Sequence, residues 1–288
     1  MKTLRLLTSL CLLVALPSGR CESQHPVVSI DRDQFLIDGE LTYQGRYWNG
    51  KKVEGLLLNA RLVQGIFDDE NPDTRGLFRY PDTGLWDADR NTNEFVEAMS
   101  VWATHGLNSF TINLQGGSPT GYGNKAWKNS AFNEAGDLKP AYMDRLARIL
   151  DKAEELRMIP IVGYFYFGQD QNLRDEEAVL NAVDNATRWI LEKGYRNVLV
   201  EVNNECSVQS WDHEILRSGR VHELIERVKA TEVDGHRLLV STSYKGRDIP
   251  GNDVASISDF ILLHGNGVRD PQFIKTMVET TRGLDGYR

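Results

Sequence analysis

Two apolar patterns alternate along most of the chain. Short, nearly continuous apolar runs at Leu62–Phe67, Leu107–Asn113, Met158–Phe165, Val198–Asn203, Arg237–Thr242 and Phe260–His264 have the length and β-branched content of buried strands. Between most of them, apolar residues recur three and four positions apart, the period of an amphipathic helix. One such stripe is Phe95, Met99 and Trp102 behind a capping Thr92. A second, opened by Pro140, is Met143, Leu146, Leu150 and Ala153, and a third is Val179, Val183, Ala186 and Ile190. Pro271–Arg282 reads as a further helix after the sixth strand. Strands that alternate with helices predict a parallel sheet, closed as a barrel or doubly wound. Upstream, Phe35-Leu36-Ile37 running into Asp38-Gly39 predicts an N-terminal β-hairpin.

Loop lengths favour the barrel. Gly106, Gly194 and Gly235 each stand just before a strand, where a helix would end in a short turn. The strand-to-helix connections 68–91 and 115–138 are long, and long loops at the carboxyl ends of strands are where a (β/α)8 barrel builds its site. A dinucleotide or P-loop fold needs a glycine fingerprint directly between strand and helix, and no such fingerprint occurs there. The glycine-rich stretch 116–123 has no lysine at the required spacing and reads as a surface loop.

With 41% hydrophobic and 26% charged residues, the 288-residue chain has globular composition and enough length for a large core. Lys2 and Arg5 precede an eleven-residue apolar stretch, Leu6–Leu16, and then Pro17, Ser18 and Gly19. This is the order of a secretory signal peptide, expected over residues 1–21, and it predicts a secreted or periplasmic protein. The stretch is too short to span a bilayer, and Arg20 before Cys21 disfavours lipid attachment. Residues 22–288 carry 30 bases against 41 acids, a net −11, so neither nucleic acid nor a membrane is an expected partner. With Cys11 and Cys21 at the leader, Cys206 stands alone and reads as a packing residue.

The sharpest chemical signal is Val198-Leu199-Val200-Glu201-Val202-Asn203-Asn204-Glu205, a β-branched strand running straight into Asn-Asn-Glu. A carboxylate at the end of a buried parallel strand stands at the catalytic rim of a barrel. Here the chain resembles the clan A glycoside hydrolases, retaining (β/α)8 enzymes such as the family 5 cellulases and mannanases, whose fourth strand ends in Asn-Glu. Carried across by position, the resemblance makes Glu205 the general acid/base and Asn204 the partner of the sugar 2-hydroxyl. Val198–Asn203 is the fourth of the six strand-like runs, as the resemblance requires. It implies an oligosaccharide or polysaccharide substrate and no cofactor.

Other candidate substrate-binding residues come from the strand ends and long loops: Asn113, Tyr164, Tyr166, His264, Trp86 and Trp127. Aromatic faces stack on pyranose rings, although either tryptophan could equally pin its own loop. Glu201 lies four residues, roughly 13 Å, before Glu205 along the strand, too far for the second carboxylate of a retaining pair, and reads as a hydrogen-bonded residue deeper in the barrel. Asp68, Asp69, Glu70 and Asp73 do not have the spacing of an EF-hand, and no Cys/His cluster suggests zinc. The resembled clan places its nucleophilic Glu on strand seven, whereas the sequence given stops after a sixth unit. The expectation is therefore a barrel truncated after about six βα units, a fragment whose nucleophile lies past residue 288. A non-catalytic carbohydrate-binding relative is the alternative.

Overall fold

The computed structural model describes residues 25–116 and 126–287. The expected leader, 1–21, and most of the glycine-rich loop, 117–123, lie outside the described residues.

The N-terminal hairpin forms and gains a strand. β1 (Val28–Asp31), β2 (Gln34–Ile37) and β3 (Glu40–Leu41) make an antiparallel sheet. Ile37 pairs with Glu40 across the two-residue turn Asp38-Gly39, and both turn residues have positive φ (54° and 77°). This is the backbone of a type I′ turn, for which Asp-Gly is a preferred pair. A second such turn, Asn49-Gly50, joins β4 (Tyr47–Trp48) to β5 (Lys51–Lys52) and exposes Tyr47 and Trp48.

The main sheet is parallel and runs in chain order: β6 (Asn59–Arg61), β7 (Ser109–Asn113), β8 (Ile159–Tyr166), β9 (Leu199–Asn204) and β10 (Leu239–Ser241). Beyond Thr242, β11 (Ser243–Tyr244) pairs in parallel with β12 (Leu262–Leu263) and adds the sixth strand position. Sequential parallel neighbours linked by helices are the first six units of a (β/α)8 barrel. The helices are α1 (Ala88–Thr104), α2 (Pro140–Glu155), α3 (Glu176–Glu192), α4 (Val221–Ala230), α5 (Asn252–Ile257) and α6 (Pro271–Arg282).

Three elements differ from the sequence reading. The first strand is Asn59–Arg61, not Leu62–Phe67, because the ladder to β7 pairs Asn59, Ala60 and Arg61 with Ser109, Phe110 and Thr111. The apolar run instead turns through a 3-10 segment, Val63–Gly65, and buries Val63, Ile66 and Phe67. A Cβ on Gly65 would come within 2.6 Å of the Phe95 ring, so α1 approaches the run through its only side-chain-free position. The cap of α1 is Asp87, which accepts from the Arg90 amide at 2.9 Å, rather than Thr92. Thr92 is buried inside the helix, where its hydroxyl donates to the Gly65 carbonyl at 3.1 Å. The expected strand Arg237–Thr242 shortens to β10, and a further strand, β11, follows it after Thr242.

Alternate residues of the strands pack on two sides. Phe110, Ile112, Val162, Val200, Val202 and Val240 join the helix faces in the large core. Ile159, Ile161 and Leu199 form a smaller cluster with Val28 and Ile37 of the hairpin. Backbone and side-chain bonds place the hairpin at the starts of the strands. Val28 N–H donates to the Arg196 carbonyl (3.0 Å), Tyr43 hydroxyl to the Gly106 carbonyl (2.6 Å), and Arg157 pairs with Asp38 (2.5 Å). Residues 106, 157 and 196 each precede a strand, so the hairpin covers the amino-terminal end and leaves the carboxyl ends for loops.

Candidate active site

β9 delivers Glu205 to the carboxyl-terminal rim in a left-handed conformation, φ +58°, which a non-glycine residue adopts only where its surroundings hold it. They do. Glu205 N–H donates to Ser243 Oγ at 2.8 Å, and the Glu205 carbonyl accepts from Trp211 Nε1 at 3.2 Å. The residue is 6% exposed, and its Oε1 is 2.8 Å from His264 Nδ1 and accepts from Asn266 Nδ2 at 2.6 Å. Burial disfavours the charged carboxyl, but the His264 hydrogen bond and charge, the Asn266 bond and the Arg61 charge together outweigh it. The net effect holds Glu205 below the ordinary glutamate range.

Asn204, beside it, accepts from Arg61 Nη2 at 2.5 Å. The same guanidinium lies 3.9 Å from Glu201 Oε2 and 6.0 Å from the centre of the Tyr166 ring. Glu201 is 1% exposed, accepts from Ser243 Oγ and has His264 Nε2 at 4.0 Å. The imidazole of His264 therefore has a carboxylate facing each nitrogen. Strands one, three, four, five and six thus converge on one polar cluster of Arg61, Tyr166, Glu201, Asn204, Glu205, Ser243, His264 and Asn266.

Of the residues singled out from sequence, Glu205, Asn204, His264 and Tyr166 meet here. Glu201 takes the buried, hydrogen-bonded place expected of it. Asn113 lies at the same level of the sheet, in register with Gly163 and through it with Glu201. Its side chain is buried over Gly163, which has no Cβ to displace it, and neither amide atom has a protein partner. Tyr164 turns the other way: its hydroxyl is 3.0 Å from Thr187 Oγ1 on α3 and fully buried, so it packs a helix and does not face the cluster.

Trp86 and Trp127 pin their loops. Trp86 donates to the Phe67 carbonyl at 3.1 Å and stacks on Tyr80 with ring centres 5.5 Å apart. Phe78 meets the edges of both Trp86 and Trp127 at 6.5 and 6.0 Å. Cys206 is buried, and burial pushes its thiol up to about 12, which suits packing and not nucleophilic attack. Among the described residues, no group of acidic, histidine and cysteine side chains has metal-binding geometry. No helix there is long and apolar enough to cross a membrane.

Sequence reading missed Arg61, Ser243 and Asn266. Arg61 ends a strand whose apolar signal lies one residue downstream. Ser243 follows the break at Thr242, and Asn266 follows the last paired residue of its strand by three positions, so neither carries a strand-end signature.

No protein-family model and no curated protein sequence matches the chain. Likeness to solved structures is extensive in shape and distant in sequence. The endo-1,4-β-mannanase from Rhizomucor miehei aligns over 90% of this chain and 79% of its own, with a TM-score of 0.51 at 12% identity. A family 5 glycoside hydrolase from Bacteroides vulgatus aligns over 91% of this chain and 52% of its own, TM-score 0.50, 13% identity. A further glycoside hydrolase gives a TM-score of 0.52 at 12% identity, covering 92% of this chain and 54% of its own. The chain thus spans about half the length of two of the structures it matches. The fold is the (β/α)8 barrel type of the glycoside hydrolases that the strand-four motif resembles.

Proposed function

We propose that this chain carries the acid/base half of a glycoside hydrolase site that cleaves β-linked glycans with retention. Glu205 gives its proton to the leaving glycosidic oxygen while a second carboxylate bonds to the anomeric carbon. Glu205 then takes a proton from the water that releases the sugar. The observation that carries this reading is a rim glutamate at the end of strand four, held at positive φ, with Asn204 beside it and His264 and Asn266 on its carboxyl.

Proton donation needs Glu205 protonated, while its present neighbours favour the ionised form. A second carboxylate beside it reverses that balance, because two like charges in one site cannot both ionise easily. Among the described residues no carboxylate touches Glu205, and Glu201 is committed to Ser243 and Arg61. On this reading the nucleophile is a second carboxylate that the described residues do not supply. The same observation favours a second reading, a carbohydrate-binding relative that does not cleave.

Glu205→Gln tests both. Under the first reading, protein that includes the second carboxylate hydrolyses β-glucan or β-mannan, and the variant loses turnover while keeping oligosaccharide affinity. Under the second, wild type and variant bind alike and neither hydrolyses. Unchanged turnover in the variant overturns the assignment of Glu205. Residues 1–21 support export of the protein, which sequencing of the mature amino terminus checks.

A further inference from the structure

Glu205 is the only residue of the polar cluster at positive φ, and Ser243 supplies two of the bonds around it. Ser243 Oγ accepts from the Glu205 amide at 2.8 Å, and the Ser243 carbonyl accepts from the Cys206 amide at 2.8 Å. The other two bonds, from Trp211 Nε1 and the Val208 amide (3.0 Å), both go to the Glu205 carbonyl. A serine hydroxyl that accepts from an amide has its own hydrogen to place. That hydrogen goes to Glu201 Oε1. Glu201 is fully enclosed, with Arg61 at 3.9 Å and His264 Nε2 at 4.0 Å, so its carboxylate has little freedom to turn.

We infer that Glu201 and Ser243 form a positioning pair for Glu205. Glu201 fixes the rotor of the Ser243 hydroxyl, the hydroxyl's lone pair fixes the Glu205 amide, and that amide holds the left-handed turn that aims the carboxyl at His264 and Asn266. The assignment rests on the proposed role of Glu205. It gives a use to a buried carboxylate that lies too far along the strand for the chemical step. A carboxylate buried only to balance Arg61 would stabilise the whole sheet evenly, whereas a positioning pair acts on one turn.

Backbone-amide hydrogen exchange on the full chain separates the two and needs no hydrolysis. Ser243→Ala should speed exchange at the Glu205 amide by roughly tenfold, the loss of about one net hydrogen bond, with Val200 and Val202 unchanged. Glu201→Ala should give the same local pattern through the freed hydroxyl. Glu201→Gln, which keeps an acceptor oxygen, and Ser243→Thr, which keeps the hydroxyl, should both restore wild-type protection. If Glu201→Ala does not fold, Glu201→Met fills the volume without an acceptor and carries the same expectation. Wild-type exchange at Glu205 in these acceptor-less variants, or faster exchange spread evenly along β9, overturns the pair. Where hydrolysis is measurable, Ser243→Ala should lower kcat at nearly constant KM. Protein that includes the second carboxylate and binds glycan but never cleaves it removes the role of Glu205 and leaves the exchange result standing.

Discussion

The two ends of the same strands are built from opposite chemistry. At the starts of β8 and β9, Ile159, Ile161 and Leu199 close on Val28 and Ile37 of the hairpin, an apolar floor in which each residue needs only shape. Two to six residues after Leu199 the side chains are Glu201, Asn203, Asn204 and Glu205, all buried and all partnered from another strand or loop. The floor tolerates exchange of one hydrocarbon for another. The rim does not, because a buried polar atom that loses its partner keeps its desolvation cost. The lesson is that stability and chemistry are separated along the strand axis, and variants can be chosen to touch one without the other.

The largest effect expected at the rim is that of Glu205→Gln. On the hydrolase reading it removes a proton-transfer group and costs about 10²- to 10⁴-fold in kcat. Because Gln keeps the volume and an acceptor oxygen for Asn266, the midpoint of thermal unfolding should move little. Leu199→Ala is the counterpart at the floor. It should cost about 2–5 kcal/mol in denaturant unfolding through lost burial and a cavity, while oligosaccharide affinity at the rim stays near wild type. A comparable loss of affinity in Leu199→Ala would dissolve the separation.

A third variant sharpens the electrostatics of the rim. His264→Ala removes the main group that offsets burial at Glu205, so a carboxyl titration followed by NMR should move upward. The sign for stability follows. A carboxyl held low in the fold contributes stability above its unfolded value, and that contribution is lost as pH falls through the folded value. Wild type should therefore lose more stability on acidification than His264→Ala.

Asp170 gives the smallest effect and the opposite sign. Burial raises its carboxyl, against the amide bonds from Asp212 (2.7 Å) and His213 (3.2 Å) that tie the loops after β8 and β9 together. A raised carboxyl carries no penalty below its unfolded value and the full penalty above its folded one. Asp170→Asn keeps the acceptor and removes the charge, so it should stabilise at neutral pH by under about 1 kcal/mol and lose that advantage in acid.

Much of this was legible because local rules and the tertiary solution agreed. The stripe Val179, Val183, Ala186 and Ile190 is buried along α3 as its period requires, Pro140 opens α2, and Asp38-Gly39 makes the expected turn. Val200 and Val202 read as a buried parallel strand, and the residue after such a strand stands at the rim of a barrel. Where the reading went astray, a partner distant in sequence made the choice. β7 took Asn59–Arg61 as its neighbour and left the more apolar Leu62–Phe67 to pack under α1. Tyr164 and Tyr166 look equivalent on paper, yet one bonds Thr187 on α3 and the other lies near Arg61. Trp86 reads equally as a sugar platform or a loop pin, and only the structure shows Phe67, Phe78 and Tyr80 packed around it.

The sequence alone determined the periodicity of each element, the parallel alternation and the position of Glu205 at a strand end, since these depend on neighbours within a few residues. Only the tertiary structure decided the company Glu205 keeps. Arg61, Ser243, His264 and Asn266 reach it across 38 to 144 positions of chain, and pairings that long are set by how strands register and close, which no local pattern encodes.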